Sequence, residues 1–184
     1  MSHRIIETAA DLAEGAAWLA RREPRFAPAL AEPLPLRRKA PGFATLLDAI
    51  VSQQVSTASA AAIWTRLAAA GLTDPLRVAA ADADALRACG LSRPKIRYAL
   101  ALARSGFDYD RIGTHPDEEA IAALVALPGI GLWTAEVYAL QALGRADVFA
   151  AGDLALQEAA RLLFDLPARP DDASLRAMAR DWSP

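Results

Sequence analysis

The stretch Leu127-Pro128-Gly129-Ile130-Gly131-Leu132-Trp133-Thr134-Ala135 constrains the fold more than any other part of this 184-residue chain. Before it, Ile121, Leu124, Val125 and Leu127 form one helical stripe. After it, a second helical pattern runs over 133–143 to a C-terminal stop at Gly144. The turn between them is too short for an ordinary loop, and a glycine stands on each side of Ile130. Glycine is needed where the backbone takes a positive φ, or where another molecule must approach with no Cβ in its way. Pro128 fixes φ and ends the first helix. The amides of Gly129, Gly131 and the opening turn of the second helix then face outward together, which makes an anion site. A tight αα-corner whose glycines serve packing alone is the other reading of the same string.

The remainder of the chain agrees with an all-α fold. Apolar residues make up 54% of the sequence, largely alanine and leucine, against 7% aromatics, a balance that favours helices over a sandwich or barrel. The length suits one domain with an ample core, and no repeat, linker or low-complexity tract divides it. A formal net charge of −2 offers no global attraction for a polyanion, so any such contact must come from a local face. The single Cys89 excludes a disulfide framework and a cysteine-ligated zinc or iron–sulfur centre. Two histidines, His3 and His115, exclude a His-rich metal site. Arg4, Glu7 and Asp11 interrupt the N-terminus, so neither a signal peptide nor a membrane-spanning run is expected. A soluble protein of the reducing cytoplasm, without a membrane partner, fits these features.

In chain order, Thr8-x-x-Asp11 is a capping box opening a helix through Trp18 to about position 21. Pro24, Pro28, Pro33 and Pro35 keep the next segment broken, and Arg37-Arg38-Lys39 before Pro41-Gly42 reads as a solvated loop. From Phe43, the residues Leu46, Leu47, Ile50 and Val51 mark a buried helix face. Ser52-Gln53-Gln54-Val55-Ser56 interrupts it before a helix over 57–70 that Gly71 stops. The adjacent amides Gln53 and Gln54 suit an interhelical contact as well as a ligand. Asp74-Pro75 and Asp82 start two short helices, the second ending at Cys89-Gly90. Leu91-Ser92-Arg93-Pro94-Lys95 then opens a helix to Arg104. Positions 87–107 hold Arg87, Arg93, Lys95, Arg97 and Arg104 and no acid, the densest positive stretch of the chain. Arg93 and Lys95, at a glycine-marked helix start, suit a phosphate contact; ordinary surface cations are the alternative. Pro116 with Asp117, Glu118 and Glu119 begins a further helix, leaving His115 as a cap or loop residue. Asp153, before the helical pattern Leu154, Leu156, Leu162 and Leu163, is a favoured N-cap worth about 1 kcal/mol. A carboxylate positioned there also suits facing a developing cation.

Three stretches together resemble the helix–hairpin–helix DNA glycosylases, and most nearly the 3-methyladenine DNA glycosylase II branch. They are Ile50-Val51-Ser52-Gln53-Gln54-Val55-Ser56, the 127–135 string, and Asp147-Val148-Phe149 followed by Gly152-Asp153, and the likeness extends over roughly 43–182. The resemblance implies a two-lobed helical fold with a base-accepting cleft, a monomer that binds double-stranded DNA and excises alkylated purines after base flipping. Asp153 falls on the family's catalytic aspartate and Trp133 on a pocket tryptophan, with Tyr138 and Trp64 as further aromatic candidates for the pocket or the core. Gln54, beside Gln53, falls on the residue that wedges into the duplex. Residues 127–131, with Thr134 just beyond, form the phosphate-gripping hairpin. No cofactor is implied beyond a structural Na+ or K+ held by the backbone carbonyls of Val125, Leu127 and Ile130.

Relatives that also cut the DNA backbone carry a lysine where Trp133 stands, so this chain is expected to be monofunctional. The cysteine cluster of the endonuclease III branch and the β-rich N-terminal domain of some glycosylase II members are expected to be missing. The chain is expected to be short beyond Asp181-Trp182-Ser183-Pro184, where relatives continue with further helix. A bacterial cytoplasm and nucleoid would be its place. Two rivals remain: a non-catalytic helix–hairpin–helix clamp, which needs neither Asp153 nor the glutamine pair, and an all-α adaptor for protein partners.

Overall fold

The computed structural model describes residues 4–183, so His3 lies outside the described residues. Among them the regular structure is helical, with one isolated antiparallel bridge between Ile5 and Arg145 and no strand. No helix among them is long and apolar enough to cross a membrane. The chain divides into two compact units: one runs from Lys39 to Tyr138, and the other joins the residues up to Arg38 with those from Ala139 onward.

The Lys39–Tyr138 unit is built around α2 (Phe43–Ser52), where Phe43, Leu46, Leu47, Ile50 and Val51 repeat at intervals of three and four and are all buried. Burying each of these side chains stabilises by roughly 1.5–3 kcal/mol. This helix packs against α3 (Thr57–Ala69), α6 (Arg93–Arg104) and α9 (Leu132–Tyr138). Two one-and-a-half-turn helices, α4 (Pro75–Ala80) and α5 (Ala83–Ala88), lean on α6 and begin where Asp74 and Asp82 accept backbone N–H groups. After α7 (Tyr109–Ile112), α8 (Asp117–Val125) leads into the hairpin and packs on α9.

Two boundaries differ from the sequence expectation. The first helix of the hairpin stops at Val125, three residues before Pro128, because a proline already bars the helical conformation to the residue ahead of it. The second is regular only to Tyr138 and then widens into a π turn, Ala139–Leu143, before Gly144 at φ 73.

The other unit contains α1 (Ala9–Arg22), that π turn, α10 (Leu154–Leu163) and α11 (Asp172–Ala179). The Thr8/Asp11 capping box is fully formed, yet α1 has no buried residue. The core of this unit is Ala151, Ala160 and Leu175, covered by Phe149, Phe164, Met178 and Trp182. Trp182 stacks on Phe164 at 5.3 Å and meets Phe26 and Phe149 edge-on at 5.0 and 5.9 Å. The leucine pattern of α10 is not its buried face: Leu154, Leu156 and Leu162 are exposed, and Gln157 and Ala160 point inward. The small alanine permits close approach, and Gln157 is tolerated inside because its Nε2 donates to the Ala151 carbonyl at 2.9 Å.

Because one ring serves three aromatic contacts, Trp182→Ala is expected to cost about 3 kcal/mol. Calorimetry should show Tm lower by roughly 6–12 °C.

Candidate functional site

The hairpin is a tight turn of the type II pattern. Pro128 takes its second position and Gly129 its third, at φ 85, and Ile130 N donates to the Leu127 carbonyl at 3.1 Å. Only glycine takes that φ without strain, and a Cβ on Gly129 would lie 2.5 Å from the Tyr98 ring. Gly131 is different. Its φ is not left-handed, and a Cβ there would meet no atom within 4 Å. Neither conformation nor internal packing calls for glycine at 131, so close approach from outside is the remaining physical reason. Gly131 directly precedes α9, and the start of a helix turns its first backbone N–H groups outward along the axis. The side chains of Leu127, Ile130 and Thr134 are buried, so these three can serve a ligand only through their backbone.

The polar turn after α2 is fastened to this hairpin. Gln53 Nε2 donates to the Gly129 carbonyl at 3.0 Å. The next residue, Gln54, is exposed and sits at φ 55, a left-handed conformation that costs a non-glycine residue about 1–2 kcal/mol. Lys95 departs from the sequence expectation. Its ammonium is not on the surface but is buried beneath the turn, donating to the carbonyls of Val51 at 2.7 Å and Gln53 at 2.6 Å. Burial pushes its pKa down. A buried cation needs such acceptors, and the last carbonyls of α2 supply them. The signal for this was helical spacing: Ala99 and Leu102, four and seven residues on, share the buried face of α6 with this lysine.

The positive stretch is thereby thinner than its residue count. Arg87 pairs with Asp84, and Arg104 donates to the Ala79 carbonyl at 2.9 Å. Arg93 and Arg97 remain exposed, lining a shallow depression with Arg87, Pro94 and Ile96. They sit at the start of α6, whose cap residue Ser92 makes no side-chain capping bond.

Among the aromatic candidates, Trp133 is 44% exposed at the head of α9. Tyr138 is corrected to a core residue: it is 3% exposed, and its hydroxyl accepts the Gly42 N–H at 2.8 Å. Burial raises its pKa. Trp64 is half-buried on α3. Asp153 belongs to the other unit, where it caps α10 and accepts from Ala155 N at 2.8 Å and Leu156 N at 3.3 Å. Its own N–H donates to the Ala150 carbonyl, and the residue stays partly open to solvent. The carboxylate is therefore held by two N–H groups of α10, while the backbone of Asp153 is tied to the segment before it.

Val125 closes α8, where a helix leaves its last carbonyls without intrahelical partners, and the Leu127 oxygen accepts a single backbone N–H. Neutral oxygen donors of this kind suit a hard monovalent cation. Among the described residues no group of His, Cys, Asp and Glu could hold a metal ion.

Residues 47–184 match the family described as HhH-GPD superfamily base excision DNA repair protein. The DNA-3-methyladenine glycosylase 1 of Schizosaccharomyces pombe is 31% identical over 147 residues, covering 73% of this chain and 63% of that protein. The DNA-3-methyladenine glycosylase 2 of Escherichia coli is 33% identical over 150 residues, covering 74% of this chain and 51% of that one. The matched region thus spans only part of these relatives' length. Among solved structures, the DNA-3-methyladenine glycosidase of Bacillus halodurans has a TM-score of 0.80 at 28% identity, covering 100% of this chain and 87% of that chain. The 3-methyladenine DNA glycosylase of Schizosaccharomyces pombe, solved with abasic DNA, has a TM-score of 0.79 at 25% identity, covering 93% and 90%.

The two hairpin glycines should respond oppositely to substitution. Gly129→Ala is expected to lower Tm by roughly 5–10 °C, through left-handed strain and the Tyr98 ring. Gly131→Ser, with its side chain in open space at a helix start, should leave Tm within about 2 °C. Thermal unfolding of both variants checks this.

Proposed function

The chain belongs to the HhH-GPD superfamily of base excision DNA repair proteins, and on that premise we propose that it is a monofunctional DNA glycosylase that hydrolyses the N-glycosidic bond of alkylated purines in double-stranded DNA. The observation that carries this reading is the pairing of Gly131, bare of any internal reason for being glycine, with a left-handed glutamine held beside the same hairpin. The likeness to named 3-methyladenine glycosylases supports the same substrate class.

In this mechanism, the amides of Gly129, Gly131 and the first turn of α9 grip a phosphate, and Arg93 and Arg97 extend the electrostatic footprint. Gln54 enters the stack in place of the extruded nucleotide, whose unstacking costs a few kcal/mol, least for a damaged base. Alkylation at a ring nitrogen makes the base a cation, so it leaves neutral and needs no strong general acid. The exposed face of Trp133 attracts that cation by about 0.5–2 kcal/mol. Asp153 stabilises the oxocarbenium-like sugar as the bond breaks and helps place the attacking water. The backbone carbonyls of Val125, Leu127 and Ile130 would hold a Na+ or K+, whose charge would stiffen the turn that presents the phosphate-binding amides.

Strand cleavage through a Schiff base is disfavoured by the state of the two lysines. Lys95 is buried on two carbonyls, and Lys39 pairs with Asp48 at 3.0 Å. A monomer working in a bacterial cytoplasm and nucleoid is the setting that fits this reading. The rival, a non-catalytic clamp, would use Asp153 as a helix cap alone.

The deciding assay incubates the protein with a duplex bearing one alkylated purine, then cleaves abasic sites with alkali. Asp153→Asn is expected to keep DNA affinity and to lower excision by roughly 10²–10³-fold, about 3–4 kcal/mol. Wild-type turnover by that variant would overturn the catalytic assignment. Gly131→Gln should weaken binding to damaged and undamaged duplex alike, since a phosphate contact carries no sequence information. Fluorescence anisotropy at two salt concentrations reads this.

A further inference from the structure

Resting on the grip-and-wedge reading above, we propose that Lys95 and Gln53 are positioning residues that brace the wedge turn to the phosphate hairpin, so that Gln54 meets the duplex at a fixed offset from the gripped phosphate. Both halves of that apparatus hang from α6. Lys95 holds the carbonyls of Val51 and Gln53 on the wedge side. Tyr98, three residues on and so on the same helix face, packs its ring against Gly129 on the hairpin side. Gln53 closes the triangle through its bond to the Gly129 carbonyl.

The chemistry of each member fits bracing. An ammonium has three donors on one atom, so it can serve two carbonyls that converge at a helix end. Those carbonyls lie at the C-terminus of α2, where the helix dipole favours a cation. Gln53 uses its amide as a donor, a role that a glutamate of the same shape cannot fill. The residue after the braced carbonyl is the one at φ 55, a conformation that persists only where the surroundings over-determine it. With the brace cut, the turn relaxes and Gln54 loses its place, while the hairpin amides keep theirs.

A brace acts on extrusion, not on bond cleavage, and this separates it from a merely structural role. The test compares Gln53→Glu and Lys95→Met with wild type in single-turnover excision of one alkylated purine, set either opposite its normal partner or opposite an abasic-site analogue. Both variants are expected to lose at least about tenfold on the paired lesion and to stay within about threefold of wild type on the unpaired one, where little extrusion work remains. Rates are taken at saturating protein, because each substitution makes this face one charge more negative and lowers duplex affinity. Equal losses on both substrates, or no loss on either, would overturn the brace while leaving the glycosylase reading intact. If wild type releases no base from either duplex, that reading fails and the brace falls with it. Gln53→Glu alters a half-buried side chain and keeps its volume, so it decides the matter even if Lys95→Met fails to fold.

Discussion

A charged ammonium can be buried only where oxygen atoms replace its water. In this protein that constraint falls on Lys95, and much of the Lys39–Tyr138 unit is arranged to meet it. Two carbonyls at the end of α2 turn toward the lysine, which fixes how that helix stops and where the following glutamines begin. The same helix that supplies the lysine presents Tyr98 to the hairpin. Through Lys95 and Tyr98, α6 thus links the geometry of two turns that are more than seventy residues apart in sequence.

The hairpin shows how one short motif can carry two unlike glycines. Gly129 is demanded from inside, by a φ of 85 and by a ring where a Cβ would go. Gly131 has no internal reason, so its bareness is intelligible only in terms of something that comes from outside. At Asp153 the observed cap and the proposed chemistry ask for the same geometry. Capping α10 fixes the carboxylate through two backbone N–H groups, and that fixity is what electrostatic stabilisation of a short-lived cation requires. The cap and the proposed chemistry would not compete at that position.

Much of this was legible beforehand because it is local. The capping box at Thr8, the starts at Asp74, Asp82 and Asp153, and the stops at Gly71 and Gly90 depend on a few neighbouring residues and appear where the sequence puts them. The direction of a side chain on a helix is not local. Lys95 reads as a surface cation and Tyr138 as either a pocket or a core aromatic, and both are buried, since other helices decide which side is inward. The leucines of α10 mislead for the same reason, standing in solvent while an alanine and a glutamine face the core.

By itself, then, the sequence determined the helical class, the starts and stops that caps and glycines mark, the hairpin with its two glycines, and the aspartate that starts α10. These follow from backbone conformation and short-range hydrogen bonds, which a few residues encode. Only the tertiary structure decided that Gln53 reaches the hairpin, that Lys95 supports the turn from below, and that Gln54 is held left-handed. Those facts depend on where distant helices bring donors and acceptors together, and no spacing along the chain specifies that meeting.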